Sequence, residues 1–131
     1  MNREKLLELY KKYDLQKQDV YKHQHYVIIT RQGIEKIQAK ENITITYEVV
    51  KCETNFAVFK ANAYLAAKPN TILETFGSAL RGANYKDGNC NSWYVAEMAE
   101  KRALSRAVLK LTGFYELGVF GEDESDDFKK K

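Results

Sequence analysis

The chain predicts an α+β fold: a three-stranded antiparallel sheet packed by a long C-terminal helix, a β-β-β-α core with N-terminal helices before it. Three observations carry this expectation. Residues 43–50 alternate, with Ile43, Ile45, Tyr47 and Val49 on one side. Residues 56–66 alternate in the same way, with Ala57, Phe59, Ala61, Ala63 and Leu65 on one face and Val58, Lys60, Asn62 and Tyr64 on the other. Period-two alternation marks a half-buried strand. Finally, Ala96, Ala103, Leu104, Ala107, Val108 and Leu111 gather on one side of a wheel drawn at about 100° per residue, which marks an amphipathic helix.

The remaining elements follow in order. Residues 3–13 place Leu6, Leu7, Leu9, Tyr10 and Tyr13 at helical spacing. A polar connector over 14–24 is expected to be ordered only in part. Residues 25–29 read as a short strand or an extended lead-in, after which Thr30 caps a helix reaching about Lys40, with Ile34 and Ile37 along one side. A turn over 52–55 joins the first two strands of the sheet. The alanines of the second strand leave room for a closely packed helix, so that face is assigned inward. Lys68-Pro69-Asn70 is a turn, and residues 71–79 form the third strand. Residues 81–91, rich in Gly and Asn, form a loop; Ser92 caps the last helix and Gly113 ends it. The expected organisation is an N-terminal helix and connector over 1–24, one domain over 25–120, and an acidic, disordered tail over 121–131.

At 131 residues, with 44% hydrophobic and 30% charged residues, the composition is that of one globular domain. The N-terminus is too charged for a signal peptide, and no apolar run is long enough to span a membrane, so a reducing cytoplasm is expected. Cys52 and Cys90 make neither a zinc site nor a supported disulfide. His23 and His25 would share one face of a strand, a weak metal pair against which ordinary surface polarity is the better reading. With no HExxH, no GxxxxGK[ST] and no GxSxG, no catalytic residue, metal or cofactor is expected, and the chain reads as a binding protein rather than an enzyme.

The net charge of +3 conceals an asymmetry. Residues 1–115 carry 18 Lys and Arg against 12 Asp and Glu, a net +6, while the rest carries a net −3. A basic body with an acidic tail points to a polyanionic partner, although a solvated surface explains so modest a charge as well. On the last helix Arg102, Arg106 and Lys110 fall at i, i+4 and i+8 opposite the apolar side, a basic stripe suited to phosphates. The wheel sets Glu100 toward the apolar side. The loop before this helix adds Arg81, Tyr85 and Lys86, and the outward face of the second strand adds Lys60 and Tyr64. Cations with accessible rings suit single-stranded nucleic acid, because bases stack while cations follow the phosphates.

The stretch YVAEMAEKRALSRAVLKL over 94–111 resembles the helix of phage and plasmid single-strand annealing proteins, in which A-x-x-R-A-h-x-R-A-h (h apolar) follows a three-stranded sheet. The order of three strands and a helix is similar to the core of the Rad fifty-two type annealing fold, over about residues 25–113. The resemblance implies single-stranded DNA binding in a basic groove, strand annealing without ATP in recombination or replication, and a homo-oligomer, often a ring; it carries over to Arg102 and Arg106. The end of the chain, GEDESDDF over 121–128, looks like the acidic tip by which bacterial single-strand binding proteins recruit replication and recombination partners. That likeness assigns partner binding to Asp126, Asp127 and Phe128, with the departure that three lysines follow Phe128. A double-stranded RNA-binding module is the first alternative, since its α-β-β-β-α order matches residues 31–111; a small enzyme or a structural interaction domain comes after it. Such modules start the last helix with a lysine cluster, where this chain has Trp93, Tyr94 and Glu97.

Overall fold

Ala99, Ala103 and Ala107 recur one helical turn apart, and all three are fully buried. Side chains this small let a helix and a sheet approach until their backbones nearly touch, and this contact organises the molecule. The computed structural model describes residues 3–23, 26–82 and 94–122. Along the chain come α1 (Arg3–Lys12), a 3-10 turn (Lys17–Asp19), β1 (Val20–His23), β2 (Tyr26–Ile29) and α2 (Arg31–Glu41). The strands β3 (Thr44–Cys52), β4 (Phe56–Tyr64) and β5 (Leu73–Leu80) follow, then α3 (Val95–Leu111), a second 3-10 turn (Tyr115–Leu117) and β6 (Val119–Gly121).

The antiparallel sheet β3-β4-β5 and the helix α3 across one of its faces are the predicted core. Ala57, Ala61 and Ala63 of β4 are fully buried, with Phe59 packed beside them, as the alternation required. On β5 the inward residues are Thr75, Gly77 and Ala79, and the Thr75 hydroxyl donates to the Ala103 carbonyl across the contact (2.9 Å). At Gly77 a Cβ would overlap the Ala99 carbonyl oxygen and the Ala103 amide nitrogen, so only glycine fits. Gly113, with φ 88°, turns the chain just past the helix, where an L side chain is strained.

Thr30 caps α2 as expected, its hydroxyl accepting from the Gly33 amide (3.2 Å), and Ile34 and Ile37 are buried. The connector over 14–24 corrects an expectation. It carries a 3-10 turn and a strand, β1, paired antiparallel with β2 from Val20↔Ile29 to His23↔Tyr26. A second sheet, β1-β2-β6, is completed by β6 running parallel to β2 (Val27↔Val119, Ile29↔Gly121). The acidic tail therefore starts later than the composition indicated: Gly121 lies in β6, and the Glu122 carboxylate accepts from the Arg31 amide at the start of α2 (3.1 Å). Leu6 and Tyr13 of the N-terminal segment lie in the same core as Ile29, Ile37, Val108 and Phe114, so 3–23 is built into the domain.

Asp19 shows what anchors the connector. It is fully buried; one carboxylate oxygen accepts from the Lys36 ammonium (2.6 Å) and the Gln16 amide (2.9 Å). Burial alone would raise its pKa, but these two donors hold it below the ordinary carboxylate value. The unfolded chain therefore takes up this proton first as the pH drops. The contribution is complete above the ordinary Asp range and is lost as the pH falls through the lower folded value. Asp19→Asn is expected to cost about 2 kcal/mol at neutral pH and to flatten the fall in urea midpoint between neutral and acidic pH. An unchanged acid limb would remove this role.

Candidate nucleic-acid interface

The basic stripe expected along α3 is not formed. Arg102 is only 2% exposed, and its guanidinium donates to the Ser78 carbonyl of β5 (2.9 Å). Arg106, partly exposed, donates to the Phe76 carbonyl of the same strand (3.0 Å). Both carbonyls belong to a strand at the edge of its sheet. Arginines one helical turn apart thus meet carbonyls two residues apart, since about 6 Å separates each pair of positions. The spacing that read as a phosphate comb is a clamp between helix and sheet edge. The physical cause of the correction is that α3 packs against more than one side. The large sheet covers Ala99 and Ala103, while α2 and β6 also contact it, and Ser105 and Leu109 are buried. A two-faced wheel does not describe such a helix.

The other expected residues divide. Lys110 is exposed, with its ammonium 5.2 Å from the centre of the Tyr115 ring. Lys60 lies on the outward face of β4 as expected, but between two carboxylates, Glu74 (3.1 Å) and Glu48 (3.6 Å). The hydrogen bond to Glu74 and the charges of both acids raise its pKa despite partial desolvation, and Asn62 and Lys60 together lower that of Glu48. This trio carries a net charge of −1 and offers little to a phosphate. Tyr64 is half-buried at the polar end of the same face. Arg81 is partly buried and its amide donates to the Asn55 carbonyl (2.7 Å). Glu100 is exposed rather than turned to the core; burial, then its charge, pushes the nearby Tyr47 up to about 12. Tyr85, Lys86, Ser92, His25 and Cys90, and the tail residues Asp126, Asp127 and Phe128, lie outside the described residues. Among the described residues no three His, Cys, Asp or Glu side chains converge as a metal site, and Cys52 is exposed and free.

Sequence reasoning passed over a cleft of about 500 Å³ between α1 and the β1–β2 hairpin, lined by Arg3, Leu7, Tyr10, Val20, Tyr21, Lys22 and Val27. Among the described lining residues, both charged ones are cations and two others are tyrosines. Tyr21 is 40% exposed and Leu7 50%, so apolar surface is accessible at the rim. Tyr10 is fixed by stacking on Phe114 (6.4 Å between centroids), and burial raises its pKa, keeping its hydroxyl protonated. The signal was present in weak form: the short segment Val20-Tyr21-Lys22-His23 and the apolar run 26–29, separated by two residues, are compatible with a hairpin. The intervening Gln24-His25 is not a favoured turn pair, which hid it.

No family model matches the chain, and no curated protein or solved structure matches it.

Proposed function

We propose that this protein binds single-stranded DNA, with the α1–β1 cleft as its principal contact surface. The observation that carries the reading is the lining of that cleft: among the described residues, two cations, two tyrosines, apolar walls and no acid. Single strands are held by cations along the backbone and by rings against the bases, a combination that tolerates any sequence. The cleft volume falls in the range of pockets that enclose a small ligand, which suits one or two splayed nucleotides. The net positive body adds long-range attraction for a polyanion. The likeness of the last helix to annealing proteins supports the same class of ligand, although its arginines now serve the fold. Strand annealing, and recruitment of recombination partners by the acidic end, are further parts of this proposal.

Fluorescence anisotropy with a labelled oligothymidylate tests it. Arg3→Glu with Lys22→Glu is expected to weaken binding by at least about tenfold and to reduce the salt slope by roughly 1.4, the release expected from two phosphate contacts on a single strand. Tyr21→Ala is expected to weaken it by about 1–3 kcal/mol with little change of slope. No binding at low salt, or tighter binding to duplex RNA in competition, would overturn the reading.

A further inference from the structure

The large sheet has two outer strands, and they are finished differently. On β5 the carbonyls of Phe76 and Ser78 are engaged by Arg106 and Arg102. Among the described residues β3 pairs with β4 alone; it is nine residues long with no proline, and Val49 and Val50 are 61% and 57% exposed. Proteins guard long outer strands with charges, prolines, coverings or short lengths, because unpaired N–H and C=O groups template another strand. In the second sheet the outer strands β1 and β6 are four and three residues long. Among the described strands, β3 therefore combines length with exposed aliphatic side chains.

We infer that β3 is a self-association edge, along which two copies of this chain pair their β3 strands antiparallel about a two-fold axis at Val49. The charge pattern selects a second copy over an unrelated peptide. Pairing with β4 passes from Val49↔Phe59 directly to Lys51↔Val58, so Val50 is the extra residue of a bulge. Glu48, opposite Lys60, and Lys51, opposite Val58, therefore point to the same outer face on either side of Val49. With Val50 left out of the new ladder as it is left out of the pairing with β4, a two-fold axis at Val49 sets Glu48 of each copy across from Lys51 of the other, giving two opposite-charge pairs by symmetry. Val49 of each copy meets its equivalent at the centre. The result is one continuous six-stranded sheet, with both β5 edges closed by their arginines. The contact is small, so dimerisation depends on concentration.

Two measurements on the full chain test this. Sedimentation velocity over a concentration series is expected to show a monomer–dimer equilibrium. Glu48→Lys should weaken the dimer by about tenfold, since like charges then face each other twice, and Glu48→Lys with Lys51→Glu should restore it. Restoration by the swap separates pairing from loss of the Lys60 contact. Val49→Cys, with Cys52→Ser and Cys90→Ser, is expected to give a disulfide-linked dimer under mild oxidation, faster than Glu74→Cys on β5 in the same background. A wild-type chain that stays monomeric throughout, a swap that fails to restore dimerisation, or equal cross-linking from β5 overturns the inference.

Discussion

Gly77→Ala is expected to cost roughly 3 kcal/mol or more, read as a large fall in urea midpoint by circular dichroism. Folded domains are stable by only about 5–15 kcal/mol, so this one methyl group takes a large share. The added carbon meets backbone on the facing helix, the Ala99 carbonyl and the Ala103 amide, and backbone has no rotamer with which to yield. The sheet cannot retreat either. Gly77 is paired with Phe59 on β4, and Thr75 is bonded to the Ala103 carbonyl two residues earlier. Gly113→Ala is the informative control, because nothing lies within 4 Å of its Cβ position and its strain is conformational alone. Its cost is expected near 1 kcal/mol. A Gly77→Ala protein as stable as the Gly113→Ala protein would mean that helix and sheet are not in backbone contact.

Arg102→Ala is expected to have the second-largest effect, a loss of about 3 kcal/mol with the salt dependence of DNA binding unchanged. The substitution removes a long buried side chain and leaves the Ser78 carbonyl without this donor. Arg102→Lys should recover little, because an ammonium cannot reproduce the planar fork of the guanidinium. Arg106→Ala, at a more exposed bond to Phe76, should cost about 1 kcal/mol. Thermal unfolding and the salt slope measured on the same variants separate a clamp from a phosphate contact. A flattened slope with full stability would return α3 to the DNA surface.

The parts of the fold written in local periodicity were legible. The alternations of β3 and β4 and the Ala-rich helix state their own geometry, and Thr30 with Gly113 marks the element ends. The second sheet was not legible, because its strands are short and β2 finds its parallel partner β6 only after the whole core has intervened. Arg102 misled for a different reason. A wheel treats every arginine as solvated, yet alanines at 99 and 103 draw the sheet so close that the neighbouring side chain is enclosed with it. The cleft was only faintly legible, since Arg3, Tyr10, Tyr21 and Lys22 come from two elements that local spacing does not bring together.

The pairing of β2 with β6 also bears on how the chain is made. Val27 registers with Val119, so the small sheet closes only after nearly a hundred further residues have left the ribosome. Until then the buried edge of Val27, Ile28 and Ile29 has only the β1 side of its hairpin, and an apolar strand waits without its partner. Long-range parallel pairing is a slow step and an aggregation-exposed one. A nascent chain stalled before Val119 should therefore be the form of this protein most in need of a chaperone.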